Sequence, residues 1–172
     1  METKERELRE IRIDPIVPTE SVLVSTVRNL RPRKKEQPAP RDTRSHVKEC
    51  PFCRGNEHKT PPAIFESKDE GQWTIRIVEN LYPVLSEATQ GPAFSEGLRQ
   101  AIDGYGRHEV IIDHHDHGIA IHEMSEQHIS QLFMTYQQRM MELYQGDSRL
   151  RYILVFKNFG PAAGASLSLI HI

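Results

Sequence analysis

Cys50-Pro51-Phe52-Cys53 is the densest piece of chemistry in the chain. Two thiols three positions apart can close on one tetrahedral metal ion, and Gly55 just beyond permits the tight turn of such a knuckle. A redox pair uses the same spacing. A redox motif opens a helix, however, and the residues that follow, RGNEHKTPP, carry no helical apolar period. Zinc is the favoured reading, with redox or inert thiols as the alternatives.

A zinc ion held by two cysteines needs two more donors. Asp113-His114-His115-Asp116-His117 concentrates imidazoles and carboxylates directly after a β-rich run and is the natural supplier. Spacing does not select among its histidines, and His46 and His58, flanking the cysteines, are weaker rivals. Two other segments suit phosphate. Arg28 and Arg31 lie three residues apart at a strand end, with Arg33, Lys34 and Lys35 behind them. Guanidinium groups so placed can grip a diphosphate, and a solvated basic loop is the blander reading. Asn158 to Ser166 (NFGPAAGAS) is a small-residue loop whose backbone N–H groups can approach an anion closely.

These groups need elements to hold them. Ser21 to Val27 is rich in β-branched residues, Trp73 to Glu79 alternates large apolar with polar groups, and both read as strands. Arg107 to Asp113 and Arg151 to Lys157 read as two more. Residues 1–14 are charged and read as a frayed lead-in or an edge strand. Ser86 to Gly106 has four glycines and no period, which predicts a mobile loop. One helix is clear. Ser125 is its N-cap, Ile129, Leu132, Phe133, Tyr136, Met140, Leu143 and Tyr144 recur at helical spacing, and Gly146 is placed to end it. This order favours an α+β fold with a largely antiparallel sheet.

Composition narrows the class. The chain has 172 residues, 37% apolar and 27% charged, enough to bury a core. A formal net charge of -2 excludes a broadly cationic nucleic-acid coat. No apolar run approaches a membrane span, and METKERELRE lacks the apolar stretch of a secretory signal. Two cysteines exclude a disulfide framework. A soluble, cytoplasmic protein is expected. The last six residues, Leu167 to Ile172 (LSLIHI), stand apart: CTG TCT CTT ATA CAC ATC encodes them, the mosaic end of a widely used transposon sequencing adapter. They are expected to be adapter-derived and are excluded from mechanism.

Taken in order, RNLRP, CPFC, IVENLYPVL, GRHEVIID followed by HDH, and VFKNFGPAAGAS resemble the N-terminal half of the galactose-1-phosphate uridylyltransferase family, part of the histidine-triad superfamily. The resemblance runs from about Ile11 to Ser166. It implies a histidine-triad-like, largely antiparallel sheet (a half-barrel) with a packed helix, over a C-terminally truncated domain at residues 15–166. Cys50 and Cys53 match the family's zinc cysteines and His117 its third ligand. Arg28 and Arg31 match arginines that contact phosphate and nucleotide, and Asn80 a residue near base and ribose. Asn158, Gly164 and Ser166 match the loop that cradles the phosphates. The family continues with His-x-His-x-Gln, whose first histidine completes the zinc site and falls here on Leu169. The second, the nucleophile, falls on His171 inside the adapter-like tail, and the glutamine lies beyond Ile172, so no catalytic residue is assigned.

The implied activity is transfer of UMP between UDP-glucose and galactose 1-phosphate through a nucleotidyl-histidine. An ADP-glucose phosphorylase-like nucleotidyltransferase and a non-catalytic zinc-dependent nucleotide-binding module are the alternatives. The implied cofactor is structural zinc, and the implied partners are a nucleotide sugar and a hexose 1-phosphate, with no nucleic acid and no membrane. The parent protein is expected to be a homodimer and the 172-residue chain to be inactive.

Overall fold

The structure, a computed structural model, describes residues 8–30, 42–88, 94–158 and 170–171. In chain order its strands are β1 (Arg9–Ile13), β2 (Ser21–Ser25), β3 (Ala63–Asp69), β4 (Gln72–Glu79), β5 (Phe94–Glu96), β6 (Arg99–Asp103), β7 (Glu109–Ile112), β8 (Phe156–Lys157) and β9 (Ile170–His171). A single long helix, α1 (Glu126–Gly146), separates β7 from β8. The chain divides into two units, one from Met1–Arg33 with Tyr82–His108, the other from Lys34–Leu81 with Glu109–Ile172.

The first unit is a four-stranded antiparallel sheet in the order β2-β1-β6-β5. Its first hairpin turns at Asp14, whose carboxylate accepts the N–H groups of Ile16 and Val17 at 2.7 and 2.8 Å. Those two bonds favour the ionised form and hold the Asp14 carboxyl below its usual range. β1 is an inner strand here, flanked by β2 and β6, where the sequence reading put a lead-in or an edge. The expected loop over Ser86 to Gly106 likewise carries the hairpin β5–β6. Both strands are short and polar, and of β6 only Ala101 is buried, so neither leaves a hydrophobic period to read.

The second unit is a five-stranded antiparallel sheet in the order β3-β4-β7-β9-β8, with α1 packed against it. β3, which the sequence reading missed, joins β4 through the two-residue turn Glu70-Gly71. Both residues have positive φ (45° and 80°), the arrangement of a type I′ hairpin. Ile75 and Ile77 of β4 and Ile111 of β7 are fully buried against Leu132 and Leu143 of α1. Ser125 caps the helix, its side chain accepting His128 N–H at 3.2 Å. The buried stripe runs Leu132, Thr135, Arg139, Leu143, while Phe133 and Tyr144 are exposed, contrary to the sequence reading. Of the strand expected over Arg151 to Lys157, only Phe156–Lys157 forms.

Both sheets are open, and the described residues form no closed barrel. No helix among them is long and apolar enough to cross a membrane.

Candidate metal centre

The knuckle around Cys50 is built by backbone hydrogen bonds. Cys50 N–H donates to Val47 O at 3.0 Å, and Cys53 and Asn56 continue the chain of turns, donating to Cys50 O and Cys53 O at 3.4 and 3.1 Å. The backbone then reverses at Gly55, whose φ of +91° a side chain would strain. Asn56 locks the loop from inside. Its buried amide lies 2.7 Å from Cys50 O, 3.1 Å from Lys48 O and 3.4 Å from Val47 O, adding a donor to carbonyls that Cys53 N–H, the Lys59 ammonium and Cys50 N–H also reach.

β4 anchors this loop to the sheet. The Trp73 indole N–H donates to Glu57 Oε1 at 2.5 Å, and the same oxygen accepts Gly55 N–H at 2.9 Å. Arg54 donates to Gln72 Oε1 and Trp73 O, with its guanidinium 5.7 Å over the Trp73 ring. Arg76, also on β4, reaches Thr60 Oγ1 at 2.8 Å and Glu66 at 2.9 Å.

The histidine loop leaves β7 at Asp113, which is held from two sides. Its carboxylate takes the Lys157 ammonium of β8, and its carbonyl accepts the His128 Nε2 hydrogen of α1 at 2.7 Å. Four residues on, His117 N–H donates to Ser45 O at 2.8 Å. Gly118 permits this approach: a Cβ there would stand 2.5 Å from Asp42 O and 2.6 Å from Thr43 Cα. A larger residue cannot sit there without moving backbone.

Three donors from these two loops converge. One ligand atom each from Cys50, Cys53 and His117 lies within 4.8 Å of the other two. His117 Nδ1 is 3.4 Å from Cys53 Sγ, while its Nε2 faces Asp42 Oδ2 at 3.7 Å. Cys53 Sγ also accepts Val47 N–H at 3.4 Å. Both cysteines are buried and free of disulfide. Burial pushes the Cys50 thiol up to about 11, because a thiolate alone in that environment is poorly solvated. Two thiols, an imidazole with a carboxylate behind it and an amide N–H on one sulfur suit zinc in donor type and in surrounding hydrogen bonds. No helix opens at Cys50, and the residues beyond form the short 3-10 turn Glu57–Lys59.

His46 and His58 belong to neither group of metal-capable residues found among the described residues. Burial first, then the neighbouring His115 and His128, push the His114 imidazole down to about 4. Burial and the Arg54 charge lower His115 too. Asn80 follows β4 and is half-buried, and Asn158 follows β8 and is exposed. Arg28 belongs to the first unit, in the 3-10 turn Val27–Leu30, and donates to Tyr82 O at 3.3 Å. Arg31, Gly164 and Ser166 lie outside the described residues, as do Leu167 to Leu169. The sequence reading missed Asn56, Trp73 and Gly118. Asn56 acts on carbonyls of its own loop, Trp73 on the Glu57 carboxylate and Gly118 on the distant Asp42–Thr43 backbone, contacts that residue type and spacing do not mark.

Comparison with known proteins gives a family. The model of the galactose-1-phosphate uridyl transferase N-terminal domain matches residues 1–171. ADP-glucose phosphorylase of Arabidopsis thaliana is 35% identical over 170 residues, covering 97% of this chain and 48% of that protein. Galactose-1-phosphate uridylyltransferase of Thermotoga maritima is 29% identical over 165 residues, covering 95% and 45%. A crystal structure of an Arabidopsis thaliana ADP-glucose phosphorylase with bound ADP-glucose is similar with a TM-score of 0.59 and 32% identity, over 95% of this chain and 47% of that one. The chain thus spans about half the length of the curated relatives it matches.

Proposed function

The chain belongs to the galactose-1-phosphate uridyl transferase family through its N-terminal domain, and from that membership we propose that it is the nucleotide-binding half of a nucleotidyltransferase acting on a nucleoside diphosphate sugar. The observation that carries this reading is the family match over residues 1–171. In the whole protein a histidine nitrogen attacks the α-phosphorus of the nucleotide sugar. An N–P bond forms as the bridging P–O bond breaks, and the sugar phosphate leaves with the electron pair. A second phosphate oxygen then takes the nucleotidyl group from the histidine.

The roles proposed for this chain's residues follow the resemblance. Arg28 and Arg31 hold phosphate oxygens, Asn80 lies near base and ribose, and Asn158, Gly164 and Ser166 cradle the phosphates with backbone and side-chain donors. Cys50, Cys53 and His117 would hold zinc, with the fourth position to be filled from beyond Ser166. When bound, the ion supplies structure by pinning the knuckle to the histidine loop. The proposal keeps a histidine-triad-like domain up to residue 166 and 167–172 as an adapter-derived tail, and carries the domain's start back from residue 15 to include β1. It also keeps a cytoplasmic, homodimeric parent and an inactive 172-residue chain.

Two substrates compete. The 35% and 32% identities to ADP-glucose phosphorylases favour ADP-glucose and phosphorolysis. The family model and the Thermotoga maritima relative support UDP-glucose and galactose 1-phosphate, as the sequence reading expected. The test is intact mass spectrometry of the full-length protein after incubation with each nucleotide sugar. Added AMP on a histidine selects the first and added UMP the second; no adduct from either overturns the transferase reading in favour of a binding module.

A further inference from the structure

The water-facing side of α1 carries almost no charge. Between Gln127 and Gly146 its charged side chains are Arg139, buried on Glu109, and Glu142, paired to Arg139 at 2.9 Å. The other exposed polar side chains in that stretch are Gln127, Ser130, Gln137, Gln138 and Gln145, none of them charged. Among them Phe133, Met134 and Met141 are 61%, 66% and 54% exposed, and Tyr144 is exposed as well. A helix whose outer side faces water carries charged residues there.

These side chains border a groove. Phe133, Tyr136, Met140, Met141 and Tyr144 line a cavity of about 550 Å³ together with Val155, the residue just ahead of β8. No charged residue lines it. Phe133 and Tyr136 meet edge-on with ring centroids 5.6 Å apart, and Tyr136, Met140 and Val155 also pack on the core beneath. The groove is therefore backed by fixed structure, while its outer wall of Phe133, Met141 and Tyr144 stands in water.

Aromatic residues and methionine, with lysine and glutamate missing, are the composition of a surface that another protein surface covers. Length points to what covers this one. The family match is to an N-terminal domain, and this chain covers 48% and 45% of two relatives, so about as much chain again follows the matched part in them. The match reaches residue 171 on β9, in the sheet whose neighbouring strand β8 follows Val155. Taking this chain as one half of a longer transferase, we propose that the groove between α1 and Val155 is the docking surface for the second half of the whole protein, which fills it with an uncharged, apolar face. A half joined through the backbone stays at high effective concentration, so the groove needs no charges for solubility or for steering a partner.

Photo-cross-linking of the full-length protein, with p-benzoylphenylalanine in place of Phe133, tests the inference. The expected product keeps the mass of a single chain on a denaturing gel, and peptide mapping puts the new bond on a residue beyond Ile172. A product of twice that mass assigns the groove to a second copy and overturns the inference. A bond confined to residues 1–172, or no bond at all, overturns it too. Should the replacement unfold the protein, the probe goes to Tyr144, with the same outcomes. In the unsubstituted full-length protein Met134 and Met141 should resist peroxide as well as the buried Met124 does, and faster oxidation of both contradicts a covered groove. None of these readouts uses a nucleotide. An intrachain bond in a protein that forms no nucleotidyl adduct refutes the transferase reading and leaves the docking surface standing.

Discussion

Asn56 does more for the knuckle than its polar, unremarkable position in the sequence implies. One buried amide meets three carbonyls, those of Val47, Lys48 and Cys50. Asn56→Ala would remove the amide donor from all three carbonyls while each keeps its other partner, at a cost of about 0.5–1.5 kcal/mol per lost hydrogen bond. The expected outcome is a lower melting temperature, together with faster zinc loss to a chelator. Gly118→Ala forces a Cβ to within 2.5 Å of the Asp42 carbonyl, so one of the two loops must move. Overpacking of this kind costs about 1–3 kcal/mol. Because the strain falls beside His117, the variant should lose more zinc affinity than a surface Gly→Ala control such as Gly146→Ala, read by competition with a colorimetric chelator. Cys50 and Cys53 were legible because their spacing is local, and their loop partner was legible as a group because histidine is dense there. The residues that fix the geometry were not: the Asn56 amide bonds depend on how the loop folds back on itself, and the close approach at Gly118 is to backbone far along the chain.

The seam between α1 and β7 is ionic at its centre. Arg139 occupies a core position of the helix stripe, seven residues after Leu132 and four before Leu143. It meets Glu109 through two hydrogen bonds, of 2.8 and 2.6 Å, with Glu109 fully buried. Arg139→Ala should cost about 3–5 kcal/mol by stranding the Glu109 charge. The double variant Arg139→Met with Glu109→Met should recover most of that loss, as urea denaturation of the set would show. This pair explains why the helix was legible in extent but not in orientation. Ser125, Gly146 and the apolar spacing marked its ends, whereas a charged residue on the buried stripe turned the apparent face towards Phe133 and Tyr144. The same logic applies to the strands. β4 and β7, buried along most of their length, were readable, and the short polar β5 and β6 were not.

At the scale of the whole molecule, two open antiparallel sheets stand where the sequence predicted one, because the strand-forming pieces of the first are split between the N-terminus and residues 94–103. The family was legible from five short motifs in order, since each reflects a local demand for a turn, a ligand or a close backbone approach. Longer-range pairing left no such marks. Metal is the proposed bond between the knuckle and the histidine loop, so its removal should be felt globally. Free zinc at a hundredfold excess over its Kd adds about 2.7 kcal/mol to the folded state. Differential scanning calorimetry should therefore show a melting transition that falls on chelation and recovers when zinc is restored. The most direct test is zinc K-edge absorption spectroscopy of the chain loaded with one equivalent of zinc. Two sulfur scatterers and at least one imidazole nitrogen around the ion are the result this account predicts. A shell of nitrogen and oxygen alone, or zinc that washes away during purification, would contradict it.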